Sequence, residues 1–204
     1  LSEWGVLTIS RLASSFGLRQ SAWLLVALVL LLLGLRLPGD LRFLQRYKYL
    51  WLTSGLLLTA LTLVFGTNPL GTGPRLWLGC CGVYLQPSEP LKLLLIIYLS
   101  AYMADRQLDI LALKSEKRSP ADKRRFVLFP LLVPSLIMTG LAILLLVVQR
   151  DLGTASVFIF LYATIVYLAS GLRRILWASL AAVILAGVAG YYLFDVVQLR
   201  VDAW

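Results

Sequence analysis

The chain contains no histidine, which removes the commonest general base near neutral pH and the commonest ligand of transition metals. Its only cysteines, Cys80 and Cys81, are adjacent. That disfavours a structural disulfide between them and gives no metal-site spacing, so they read as small apolar residues at a membrane interface. Charge is also scarce. Asp, Glu, Lys and Arg make up 14% of the residues, against about 25% in a soluble domain. No signal-peptide pattern is visible, and Leu1 is not an initiator methionine. The sequence therefore reads as a piece of a longer protein.

What is present in quantity is apolar: 60% of residues, with a mean hydropathy of +0.85. These values describe an integral membrane protein. The net charge of +9 raises nucleic acid or anionic lipid as partners, but the basic residues fall between apolar runs. There they act first as topology signals, and nucleic acid is not expected.

Six apolar runs stand out, at approximately 18–35, 49–65, 88–103, 126–148, 153–169 and 175–194. A spanning helix needs about 20 residues, so the first three must recruit flanking turns. Pro130 and Pro134 fall in the fourth run, where neighbouring helices or a cavity can satisfy the freed carbonyls. Trp and Tyr gather near run ends (Trp23, Tyr49, Trp77, Tyr191), as an aromatic belt requires. The expected fold is all-α: a polytopic helical bundle of about six transmembrane helices, with residues 1–204 as a single transmembrane domain.

Orientation follows from the basic residues. The loops 36–48 and 104–125 and the pair Arg173–Arg174 carry thirteen of the nineteen Lys and Arg, and the alternate side carries six. Basic loops stay cytoplasmic. Both chain ends, the long segment 66–89 and the turn 149–153 are therefore expected on the outer face of the membrane.

Two polar islands interrupt the apolar pattern, and the inferred topology puts both on that outer face. The first is Gln86-Pro87-Ser88-Glu89, with Lys92 three residues beyond Glu89 on one helical face. A structural reading makes Ser88 an N-cap and sets Glu89 against the positive helix end. It leaves Lys92 either paired with Glu89 or facing an anionic group. The second is Gln149-Arg150-Asp151-Leu152-Gly153-Thr154. As plain structure it is a tight helical hairpin: Asp151 caps the next helix, Gly153 supplies backbone freedom and Gln149 satisfies the preceding helix end. Ionisable residues at such positions by default mark a working site. Ahead of the first island, 66–82 reads as an irregular loop rich in Gly and Pro, in which Arg75 offers a fork for phosphate. The basic loop 114–125 reads as an anchor against anionic headgroups.

The string Gly73-Pro74-Arg75-Leu76-Trp77-Leu78-Gly79, the string Leu85-Gln86-Pro87-Ser88-Glu89-Pro90-Leu91-Lys92, and Gln149 to Thr154 together resemble the signature of the SEDS family (shape, elongation, division and sporulation proteins), which includes RodA and FtsW. The resemblance covers essentially the whole chain. Members have about ten spans, and this sequence is similar to the stretch from the second to the seventh. It departs from the pattern at Arg150, where the family has proline, at Pro90, and at Arg75, one residue early relative to the tryptophan.

The resemblance implies an inverting peptidoglycan glycosyltransferase that polymerises lipid II, an undecaprenyl-pyrophosphate-linked disaccharide peptide, on the outer face of the bacterial cytoplasmic membrane. Glu89 and Lys92 take supporting catalytic roles, while Arg75, Gln86, Ser88, Gln149 and Asp151 bind substrate. The family's catalytic aspartate is expected beyond Trp204, and Asp202 does not match its context. A class B penicillin-binding protein transpeptidase is the implied partner, alongside membrane lipids. No cofactor or metal ligand set is implied, although a divalent cation could accompany the pyrophosphate. Two other functions remain open on the residues alone: a lipid II flippase, and a non-catalytic membrane scaffold for a transpeptidase. Charge at mid-depth would favour the flippase.

Overall fold

A computed structural model describes residues 14–36, 42–68, 71, 73–80, 83–107, 111, 129–193 and 198. The basic loop 114–125, Cys81 and Asp202 lie outside the described residues. The chain divides into two compact units, Leu1–Leu41 and Arg42–Trp204.

The first unit contributes one helix, α1 (Ser14–Leu35). Its 22 residues extend the apolar run at 18–35 by a turn at the N-terminal side. Large side chains from Trp23 to Leu35 are exposed along its length, as suits a segment bathed in lipid rather than water.

The second unit opens with a short helix, α2 (Arg42–Arg46), and continues into α3 (Lys48–Phe65). A two-stranded hairpin follows, β1 (Leu78–Cys80) and β2 (Val83–Leu85). Then come α4 (Ser88–Asp105), α5 (Phe129–Val148), α6 (Leu152–Ser170) and α7 (Arg173–Leu193). By length and composition α3, α6 and α7 are each able to cross a membrane. α4 reaches 18 residues by adding Ala104 and Asp105 to the apolar run. Pro134 sits inside α5 without ending it.

α4 is the hub, packed against α3, α5 and α6. Leu91, Leu95, Tyr98, Leu99 and Tyr102 recur at helical spacing and are buried. They meet Leu52 and Leu56 of α3, Ala142 and Leu146 of α5, and Phe158 and Val166 of α6 in one cluster. Gly55 lets α3 approach closely, because a Cβ there would lie 2.7 Å from Leu94 Cδ1 and 2.9 Å from Leu91 Cδ1. Small residues serve the same purpose at helix contacts in lipid. The outer faces of these helices expose Leu57, Val64, Phe160, Leu168, Trp177 and Leu185, far more apolar surface than a water-soluble exterior presents.

Three buried hydroxyls are satisfied within their own helices. Thr59 donates to the Gly55 carbonyl at 2.8 Å, Thr62 to Thr59 at 2.6 Å and Ser170 to Val166 at 2.6 Å. Such back-bonding keeps polar residues tolerable where water is absent. At one end of the unit, Lys48 and Gln45 both donate to the Asp105 carboxylate, pinning the start of α3 beside the end of α4. The last turn of α3 and the first turn of α4 consequently lie at the opposite end.

The described residues of 66–82 correct the expectation of an irregular loop there. Leu78 pairs with Leu85, Gly79 with Tyr84 and Cys80 with Val83 in antiparallel register. Thr67 and Trp77 exchange backbone hydrogen bonds of 2.8 and 3.3 Å below that ladder. Glycine and proline content suggested an irregular loop, but two three-residue strands pair within it.

Candidate functional site

Both polar islands lie at the end of the second unit defined by the last turn of α3. For the second island the link is direct. Gln149 is 7% exposed, and its side-chain amide donates to the Thr59 carbonyl at 2.8 Å and to Thr62 Oγ1 at 2.9 Å. It does not cap its own helix, as the hairpin reading had it. It crosses to α3 and fastens the α5–α6 turn there.

The turn itself is a Schellman closure. Arg150 N–H donates to Val147 O and Asp151 N–H to Leu146 O, each at 2.9 Å, the pattern that ends a helix on a left-handed residue. That residue is Arg150, with φ 62, and not Gly153, which lies within α6. The expected role of Gly153 is thus corrected: the chain reverses at a non-glycine position, a conformation costing about 1–2 kcal/mol. Asp151 is the N-cap of α6, its Oδ1 accepting from Thr154 N–H at 3.2 Å. Its Oδ2 is buried with no hydrogen-bond partner among the described residues.

Arg75 reaches the same place along the root of the hairpin. Gly66 follows α3 and has room only for hydrogen: a Cβ would fall 2.1 Å from Thr62 O and 2.4 Å from Arg75 O. The backbone of Arg75 is thereby laid against the end of α3. A cleft of about 370 Å³ opens here, lined by Thr62, Gly73, Pro74, Arg75, Gln149 and Arg150 among others. It falls within the range of small-ligand sites, roughly 300–1,000 Å³.

The first island stands apart from that cleft, since none of Gln86, Ser88, Glu89 and Lys92 lines it. The Pro87 backbone is already helical, so Pro87 takes the N-cap position and Ser88 falls inside the helix. Ser88 therefore does not cap α4, contrary to the sequence reading. Its hydroxyl is buried and unpartnered among the described residues. The Gln86 carbonyl accepts from Glu89 N–H at 3.1 Å. Lys92 Nζ donates to Glu89 Oε1 at 2.7 Å, and the pair is partly exposed. Of the two roles open to Lys92, the structure shows the internal pair.

Neither Arg150 nor Thr62 was assigned a substrate role from the sequence. Thr62 gave no signal, being one hydroxyl in an apolar run. Arg150 did give one, an added charge where the resembled pattern has proline.

The cell cycle protein family model that joins FtsW, RodA and SpoVE matches residues 6–204. Among curated proteins, the peptidoglycan glycosyltransferase RodA of Mycobacterium tuberculosis is 28% identical over 189 residues, covering 91% of this chain and 39% of that protein. The chain thus spans about two fifths of the length of such relatives. The crystal structure of the rod shape determining protein RodA of Thermus thermophilus superposes with a TM-score of 0.64 at 27% identity, over 90% of this chain and 55% of that one. A chain from a peptidoglycan synthase complex, described as coordinating polymerization and crosslinking, gives a TM-score of 0.67 at 25% identity, over 98% and 54%.

Proposed function

The chain belongs to the FtsW/RodA/SpoVE family of cell cycle proteins, and from that premise we propose that it forms the substrate-gripping part of a multi-pass membrane glycosyltransferase that polymerises lipid II into glycan strands. The observation that carries this reading is the convergence, at one end of the helical bundle, of the Arg75–Gln149–Arg150 cleft and the α4 terminus with its Glu89–Lys92 pair. The bias of thirteen basic residues against six supports an outer, periplasm-facing position for that end.

The chemistry needs a base for the attacking hydroxyl and cations for the departing diphosphate. Guanidinium groups supply the second requirement with paired donors suited to phosphate oxygens. Glu89 is engaged with Lys92, and Asp151 caps α6. The proton of the hydroxyl is therefore assigned to the aspartate that the family resemblance places past Trp204. The Glu89–Lys92 pair orients the acceptor and exchanges its internal bond for contacts with the sugar or phosphate as substrate enters. A transpeptidase of the class B penicillin-binding type is the proposed partner, supported by the likeness to a chain of a synthase complex.

Charged residues in α3 to α7 are confined to the first two turns or the last turn of each helix. That distribution suits a surface enzyme better than a headgroup translocator, which would carry charge at mid-depth. The test is glycan synthesis from purified lipid II by full-length protein. Glu89→Ala and Lys92→Ala should each abolish polymer while leaving membrane insertion and thermal stability intact. Normal polymer output from both variants would sink the reading and favour a scaffold.

A further inference from the structure

The cations at this end of the bundle are unequally available. Lys92 is neutralised by Glu89 at 2.7 Å. Arg75 and Arg150, by contrast, line one cleft, and no ion pair to either is found among the described residues. Two guanidinium groups facing one space repel each other unless an anion lies between them. Each also carries planar, forked donors that match phosphate oxygens. Among the described residues no ion pair uses the Arg150 side chain, which is exposed. The turn is closed by backbone bonds from Arg150 and Asp151 and by the Gln149 amide. The left-handed backbone at Arg150 would be cheaper with glycine. Left-handed backbone at an exposed, non-glycine position is the kind of strain that points to function.

We propose that Arg150 is an anion-binding residue, which with Arg75 forms a two-guanidinium clamp for a phosphate-class group at the mouth of the cleft. This deepens the polymerase reading, on which it rests for the identity of the anion as the diphosphate of a lipid-linked sugar. The floor favours that assignment. Gln149 is buried, with its amide donors bonded to α3, so the cleft presents cations at its rim and no carboxylate among its lining residues. Lys92 then acts outside the clamp, near the sugar rather than the diphosphate. The same chemistry would also accept the headgroup of an anionic phospholipid.

Binding of inorganic pyrophosphate to full-length protein in phosphatidylcholine nanodiscs, followed calorimetrically at low salt, tests the clamp. Wild type should bind saturably. Arg150→Gly, which keeps the turn's φ and removes the cation, should bind about tenfold or more weakly, the scale of one charge-assisted contact. Arg150→Lys, which keeps the charge but not the fork, should recover only part of the loss, and Arg75→Ala should match the glycine variant. Thermal stability of Arg150→Gly should equal or exceed that of wild type, which separates loss of binding from loss of fold. In the same phosphatidylcholine discs, competition by soluble glycerol phosphate would identify the lipid headgroup as an occupant of the clamp. Unchanged binding would assign the clamp to the diphosphate. Wild-type affinity in Arg150→Gly, or no saturable binding by wild type, would overturn the proposal. Pyrophosphate binding that depends on Arg150 in a protein that makes no polymer would instead remove the polymerase reading and leave the clamp standing.

Discussion

Gln149 decides whether the second island is primarily a fastening or primarily a substrate contact, and an isosteric change separates the two. In Gln149→Glu the side chain keeps its size but loses both N–H donors. An ionised oxygen would then face the Thr59 carbonyl at the 2.8 Å now occupied by a hydrogen bond. Thr62 could turn its hydroxyl toward the new carboxylate only by giving up its own 2.6 Å bond to Thr59 O. Two hydrogen bonds at about 1 kcal/mol each are lost, and a buried polar group left facing an acceptor adds about 1–3 kcal/mol. The expected destabilisation is about 3 kcal/mol or more at pH 8. It should ease as pH falls, because a protonated carboxyl regains one donor and sheds its charge. Gln149→Leu, which loses the bonds but buries no charge, should cost only about 1–2 kcal/mol. In Thr62→Val the Gln149→Leu change should cost less than in wild type, since the two side chains share a bond. Thermal unfolding of full-length protein in detergent, at pH 5 and pH 8, reads all of these. A Gln149→Glu variant as stable as wild type at pH 8 would refute the reasoning, and would free Gln149 for a role at the substrate.

Two further outcomes follow from the backbone of the same region. Gly66→Ala must displace either the α3 terminus or residue 75, since its Cβ would overlap both carbonyl oxygens. It should cost about 2 kcal/mol or more and speed amide hydrogen exchange at Thr67 and Trp77, measurable by mass spectrometry; unchanged exchange would contradict the close approach. Arg150→Pro restores the residue found in the resembled motif, yet here it should destabilise by about 3 kcal/mol. Proline cannot adopt φ 62, and it removes the N–H that bonds Val147 O at 2.9 Å. Arg150→Gly should gain about 1 kcal/mol in the same thermal assay.

The sequence alone determined the solvent of this protein and the family to which its motifs belong. Long runs of Leu, Val and Ala with charge only between them can be stable only in lipid, so helices at 49–65, 88–103 and 153–169 were legible to within two residues at each end. Motif strings around Glu89 and Asp151 gave the family before any contact was known. Asp151 as a helix cap was legible too, because a cap depends on its immediate neighbours.

What the sequence left open depended on contacts between distant segments. Gln149 sits 87 and 90 residues from the groups it bonds, and no local pattern announces such a tie. Ser88 was misplaced by a single position because a cap is defined by the backbone of Pro87, which propensity alone did not fix. The hairpin at 78–85 escaped notice because three-residue strands are too short to show alternation above the glycine background. Only the packed bundle separated the cations, leaving Lys92 neutralised within its own helix and placing Arg75 and Arg150 on the lining of one cleft at the end of α3. Charge in a sequence is only counted; in a structure its effect depends on its neighbours, and here Lys92 is paired with Glu89 while Arg75 and Arg150 line one cleft.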